Sequence, residues 1–411
     1  MPDILKIIII LAAILILLRF KVALSITLLG SAVVLGILFN LPISKICGAF
    51  LKGALDPETL LLIASLILIL FFSAIMKETG NMSRSITNLQ NVFRDARATV
   101  AIIPAIIGLL PVVGGAMLSA PLVSQASDDL KLSPERRTFI NYWFRHIWEY
   151  ILPTYPGIIL ASTIVGIPVA KVSLMNLPLT LASLIAGIFL GFRGVQSFSP
   201  AGTPLTFLQI AKDLLLFIGN LLPFIGVLVL TLSFKIHLAY SMALATIGTI
   251  LFYRLSLPLI RQLWKSSFSW EIVFLIFGVM IFKEILMASG AMNSVAREFS
   301  QMGMPPQILI IVLPFIMGII TGYSNAAVGL SFPILLPLFL AGEQSLIYLT
   351  LAYASGFCAI LLSPMHVCLV MTREYYHADM NKVYRLLILP VSIVFLTGVA
   401  VVFISFWVGG R

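Results

Sequence analysis

Apolar runs of about 20 residues with almost no charge dominate this chain, and no other feature restricts its folding as much. ETLLLIASLILILFFSAIM (58–76) and VYRLLILPVSIVFLTGVAVVFISFW (383–407) are two of them. As helices they are long enough to cross the ~30 Å hydrocarbon core of a bilayer. Within lipid every backbone amide must be bonded internally, which leaves only helices or closed barrels. A barrel needs short alternating segments, whereas these runs are continuous, so the expected class is an all-α polytopic membrane protein. With 60% hydrophobic and 10% charged residues and a mean hydropathy of +1.09, the composition agrees.

Spans are expected near residues 4–18, 22–39, 58–76, 138–170, 172–192, 213–232, 236–254, 268–287, 345–371 and 383–408. The first, flanked by Arg19 and Lys21, reads as a retained span and not as a cleaved signal. Two further apolar segments, 98–124 and 306–340, carry helix-breaking centres, PVVGGAMLSAP and TGYSNAAVGLSFP. Half of either segment is too short to cross, so both are expected to be re-entrant hairpins. The positive-inside rule separates the options. With an outside amino terminus and two hairpins, 17 of the 26 Lys and Arg residues lie inside and eight outside, with Arg145 left in a span. Single crossings would give 13 against 12.

The same count places five crossings on each side of residue 193, which requires the second half to enter from the opposite face. A sparse echo at an offset of 210 residues accompanies it: Gly80 with Gly290, Pro104 with Pro314, Gly108 with Gly318 and Ala116 with Ala326. The expected architecture is an inverted repeat of five spans plus one hairpin each, about 10 transmembrane helices with two broken helices. Residues 1–192 form the first repeat and 213–411 the second. RGVQSFSPAGTPLTFLQIAK (193–212) is a Pro/Gly-rich cytoplasmic linker, and both termini lie outside.

The net charge of +10 is spread over inter-span loops and forms no stripe, which argues for topology and against a nucleic-acid partner. Cys47, Cys358 and Cys368 have neither framework nor zinc-type spacing, so no metal is expected.

Four interruptions remain in otherwise apolar helices. The 138–170 span contains LPTYPG and the 345–371 span contains SPMHVC. Proline removes a backbone donor and frees a carbonyl one turn earlier, leaving polar groups at mid-membrane that require a ligand, an ion or water. Helix N-termini there suit anions and C-terminal carbonyls suit cations. Candidate substrate or ion contacts are Gly114, Gly115 and Ser119 in the first hairpin, with Pro111 at its turn. The first break offers Pro153, Thr154 and Tyr155. The second hairpin supplies Tyr323, Ser324 and Asn325, beside Gly322. The second break supplies Ser363, Pro364 and His366. All four places are expected to converge on one polar cavity.

Glu149 is the only acidic residue expected well inside a span. An intramembrane carboxylate is a functional hypothesis in its own right. His146 shares its helical face and Arg145 lies one turn earlier, so either Glu149 or His146 carries a coupling proton, or Glu149 is the structural partner of Arg145. These two roles stay open at the level of sequence.

Taken together, PVVGGAMLSAP, HIWEYILPTYPG, GYSNAAVGL and SPMHVCL resemble the DUF401 family of prokaryotic integral membrane proteins over nearly the full chain. That family is grouped with the ion-transporter superfamily of gluconate, citrate, dicarboxylate and arsenite carriers and sodium/proton antiporters. The resemblance implies an inner-membrane homodimer of inverted repeats with elevator-like movement. It implies no substrate. The second tip reads Ser-Asn-Ala and the first Gly-Gly-Ala, where the sodium/dicarboxylate relatives carry Ser-Asn-Thr.

The expected function is secondary active transport of a small solute, an anion by first choice, coupled to protons or sodium. A cation/proton antiporter is the alternative. The chain carries no P-loop, HExxH or GxSxG pattern, so direct ATP use and an intramembrane enzyme are both disfavoured. A channel fits broken helices less well than an occluded site does. No cofactor is expected beyond a coupling sodium ion or proton.

Overall fold

A computed structural model describes residues 2–93, 95–111, 115–196, 206–291, 294, 297–298 and 305–409. Among these residues the regular structure is helical throughout. The first half contains α1 (Asp3–Arg19), α2 (Leu24–Leu38), α3 (Ile43–Leu55), α4 (Pro57–Glu78), α5 (Asn81–Val92), α6 (Ala96–Ile107), α7 (Gly115–Ala126), α8 (Pro134–His146), α9 (Pro156–Val165) and α10 (Val169–Gly191). The second half follows with α11 (Phe207–Leu228), α12 (Leu238–Tyr253), α13 (Leu257–Ser267), α14 (Trp270–Ala288), α15 (Pro306–Thr321), α16 (Ser324–Phe339), α17 (Tyr348–Leu362), α18 (Val367–Tyr376) and α19 (Met380–Gly409).

Among the described residues, five helical stretches are long and apolar enough to cross a membrane: Pro57–Glu78, Val169–Gly191, Phe207–Ser233, Ser345–Tyr376 and Met380–Val408. Several other expected spans are shorter. Helices α2 and α12 have 15 and 16 residues, about 23 Å of rise. Large apolar side chains cover the outside, among them Phe189, Leu215, Phe252 and Phe403, each more than two-thirds exposed. Such a surface suits lipid as its solvent.

Local chemistry sets several helix ends. Asp56 and Ser133 accept from the backbone amides of Glu58 and Arg136 at the starts of α4 and α8, each followed by proline at the first helical position. Thr206 and Gln209 form a reciprocal capping box at the start of α11. That helix begins inside the stretch expected to be the 193–212 linker, because the box and the apolar face after it favour helix from Phe207 on. Residues 197–205 of the linker lie outside the described residues. The amphipathic helices α3, α5 and α13 lie between expected spans, and each mixes polar with apolar residues.

Helix packing follows an exchanged pattern. Helix α4 packs on α12 and α13 of the second half, while α14 packs on α2 and α3 of the first. Within the halves, α6 packs on α7 and α8, as α15 does on α16 and α17. Across them, α7 meets α18 and α9 meets α16. Two glycines permit the closest approaches. A Cβ on Gly108 would collide with the main-chain carbonyl of Arg145, and one on Gly318 with that of Gly356. The offsets are 210 and 211 residues.

Candidate functional site

Both long broken helices stop in the interior. After α8 ends at His146, the chain passes through a few irregular residues and restarts as α9 at Pro156; α17 ends at Leu362 and α18 starts at Val367. Helices α6 and α7 pack on each other, as α15 and α16 do, with α6 ending at Ile107 and α7 starting at Gly115, and α15 ending at Thr321 and α16 starting at Ser324. Residues 112–114, which include the candidate Gly114, lie outside the described residues.

A continuous set of contacts joins the four places. At the first tip, a Cβ on Gly115 would lie 2.8 Å from Arg145 Nε. The next residue after Arg145 is His146, whose Nε2 is 3.1 Å from His366 Nε2 in the second break. Gly322 of the second tip lies so close to that break that an added Cβ would be 2.7 Å from the His366 backbone nitrogen. Gly157, just after the first break, faces Ser324 and the Tyr353 hydroxyl. At Gly115, Gly157 and Gly322 the missing side chain lets the main chain approach a guanidinium, a hydroxyl and another main chain in turn.

Arg145 is the centre of this arrangement. Only 3% exposed, it places Nη1 3.2 Å from Glu149 Oε1 and donates to the Tyr155 hydroxyl at 3.1 Å. Tyr155 in turn donates to the Gly108 carbonyl, so the first break is fastened to the first hairpin. A corresponding tie exists in the second half, where Ser363 Oγ donates to the Ile319 carbonyl at 2.6 Å. Tyr353 Oη donates to the Glu149 carbonyl at 2.7 Å, bonding α17 to the first break. The Arg145–Glu149 pair is buried, and a buried pair of this kind is costly to break because the survivor stays charged in an apolar setting. His146 Nε2 lies 3.8 Å from Glu149 Oε1. Glu284, expected at a span end, is also buried, and it pairs with Lys52 at 2.8 Å.

The other candidates divide clearly. Thr154 is buried and its hydroxyl makes no hydrogen bond, and Asn325 Oδ1 likewise makes none; both keep polar capacity for a ligand. Ser119 Oγ instead bonds the Ala116 carbonyl of its own helix at 3.1 Å, which is ordinary helix back-bonding. Tyr323 is 42% exposed, and Pro364 is exposed. Pro153 is buried in the first break. The space beside the second tip is a small, mostly apolar cleft lined by Pro314, Ser324, Val328, Tyr353 and Phe357 among others. Of the four places expected to share one polar cavity, this cleft borders only the second tip. Among the described residues the first tip meets the first break, the second tip meets the second break and the two breaks meet each other, with the ion pair in the first break.

Three participants had weak or no sequence signals. Arg145 stood out only as a partner for Glu149. Tyr353 lies in an apolar helix with nothing to distinguish it, and Cys368 lacked any ligand-type spacing. In space, however, Cys368 joins His146 and His366: one ligand atom from each lies within 4.8 Å of the others.

A family model described as "Protein of unknown function (DUF401)" matches residues 4–406 of the chain. No curated protein matches it.

Proposed function

We propose that this chain, which belongs to the DUF401 family, is a secondary active transporter of a small anionic solute. The observation carrying this reading is the meeting of helix starts with Arg145. Helices α7, α9, α16 and α18 begin at Gly115, Pro156, Ser324 and Val367, and the arginine lies against Gly115 and against Tyr155, the residue before Pro156. Helix N-termini present unpaired N–H groups and partial positive charge. With a guanidinium they form a setting for a carboxylate or oxyanion. Glu149 balances Arg145 while no solute is bound, and an arriving anion competes for the same guanidinium. Release of Glu149 then permits it to take a proton, with His146 as a relay, which couples solute to proton. Coupling to sodium is the other form of the same proposal.

The architecture in this reading is an inverted repeat of five spans and a hairpin per half, about ten crossings in all. Its support is the exchanged packing of α4 with α12 and α14 with α2, and the recurrence of the glycine approaches at Gly108 and Gly318. Membership of the ion-transporter superfamily, an inner-membrane homodimer, outward termini and elevator movement of tips and breaks belong to the same proposal. The chain performs no chemical reaction in it.

Reconstitution tests the reading. Purified protein in liposomes with an imposed pH or sodium gradient should accumulate one member of a panel of labelled carboxylates and oxyanions. A solute that binds shifts thermal stability, by about 2.7 kcal/mol at 100 times its dissociation constant, and selects the panel. A cation/proton antiporter is the second reading, favoured by the buried Glu149 carboxylate. It predicts proton movement when a cation alone is supplied, with no anion accumulated.

A further inference from the structure

His146 ends α8, whereas His366 caps α18 and Cys368 is the second residue of that helix, so two chain segments from opposite halves converge at the junction of the two breaks. Nε2 of His146 is 3.1 Å from Nε2 of His366. Two nitrogens bound to one tetrahedral zinc ion at about 2.0–2.1 Å lie about 3.3 Å apart, so the pair already has the spacing of co-ligands. Cys368 supplies a sulfur within 4.8 Å of both ligand nitrogens. All three residues are buried.

Tautomers and surroundings support a ligand role. His146 Nδ1 is 2.6 Å from the Tyr142 carbonyl. A carbonyl only accepts, so Nδ1 carries the proton and Nε2 presents its lone pair towards His366. A ring nitrogen bonded to a main-chain carbonyl while the other faces the ion is the usual orienting contact of a metal-binding histidine. His366 Nδ1 makes no hydrogen bond, so its ring can carry the proton there and present Nε2. Cys368 is the second residue of α18, where a thiolate meets the partly positive helix start. The Arg145 guanidinium is offset by Glu149, whose Oε1 is 3.8 Å from His146 Nε2. The exposed neighbours Pro364, Met365 and Val367 put His366 close to an accessible surface.

We propose that His146, His366 and Cys368 form a three-ligand site for a borderline d-block divalent cation of the zinc class, held between the two halves with a fourth position open. Binding displaces one proton, from the Cys368 thiol, while the His366 proton moves from Nε2 to Nδ1. Imidazole with thiolate favours zinc-class ions over magnesium or calcium, which require oxygen. The site does not depend on the transporter reading, since binding needs no gradient.

The test uses the full chain in detergent, stripped with a chelator, kept reduced and titrated with Co2+. One equivalent should bind, with tetrahedral visible bands and a thiolate-to-cobalt charge-transfer band, all displaced by Zn2+. Cys368→Ser should remove the charge-transfer band, and His146→Ala and His366→Ala should each weaken binding at least tenfold. A Cys47→Ser/Cys358→Ser protein should keep the band. X-ray absorption of the zinc-loaded native protein gives the same answer without any variant: one sulfur and two imidazoles support the site. Absence of stoichiometric Co2+ binding by folded native protein, or a charge-transfer band that survives Cys368→Ser, overturns it.

Discussion

Arg145 and Glu149 face each other at 3.2 Å inside a broken helix, on the first residue before its stop and within the irregular stretch that follows. Both side chains are buried, with 3% and 11% of their surface left exposed. Their charges therefore depend on each other, and an unpaired survivor carries a penalty. Arg145→Ala is expected to destabilise the protein by about 3–5 kcal/mol. Arg145→Ala combined with Glu149→Gln should recover part of that loss. Thermal unfolding of the three variants in one detergent checks this; additive losses would show that the pair is not coupled.

Glu149→Gln alone separates the two roles open for this carboxylate. The amide keeps the shape and cannot titrate. Gradient-driven accumulation in liposomes should fall to background, while exchange of solute across the same liposomes continues. Full accumulation by a folded Glu149→Gln protein would exclude Glu149 as the proton carrier and shift attention to His146 or His366.

Gly108 and Gly318 make the tightest main-chain approaches in the two halves. Gly108→Ala and Gly318→Ala should each lower stability by roughly 1–3 kcal/mol, the usual cost of overpacking, because the obstructing atom is a backbone carbonyl that cannot rotate away. Comparable losses for both in thermal melts would support equivalent roles in an inverted repeat. A neutral Gly318→Ala beside a damaging Gly108→Ala would count against it.

Tyr155→Phe and Ser363→Ala each remove a tie between a hairpin and a break. Loss of one such bond is expected to cost about 1–3 kcal/mol where it leaves a buried carbonyl unsatisfied. Hydrogen exchange should also accelerate in the affected hairpin and not in the other one; equal acceleration in both would show that the ties act globally.

Sidedness is tested by single cysteines in a cysteine-free background, since Cys47 is exposed. Asp129→Cys and Gly342→Cys occupy exposed positions at the outer ends of the two hairpins. Asp129→Cys should react with an impermeant thiol reagent from the cytoplasm only and Gly342→Cys from outside only. Labelling from one common face would remove the inverted repeat.

Much of this fold is readable from residue type, because apolar length reveals helices and Pro or Gly reveals their interruptions. LPTYPG and SPMHVC mark both breaks, and the glycine-rich centres of 98–124 and 306–340 mark both turns. What falls within the breaks is less readable. In a helix apolar on all sides, periodicity does not say which face meets which neighbour. Tyr353 thus gave no sign that it bonds the Glu149 carbonyl, and Tyr323 was expected inward yet lies exposed. His146 and Cys368 are separated by more than 200 positions, so only tertiary packing brings ligand-type atoms together.

The exchanged packing bears on how the chain is made. When α4 leaves the ribosome, its main neighbours α12 and α13 are still untranslated, and α2 must wait longer still for α14. The first half is thus inserted with two interior faces uncovered and only lipid, or an insertion factor, to shield them. Polar residues already stand on those helices, with Ser25, Thr27 and Ser31 on α2 and Thr59, Ser65 and Ser73 on α4 all buried in the finished protein. The second half closes the α4 face first and the α2 face after it, and a translation product truncated before α12 leaves both polar helix faces uncovered.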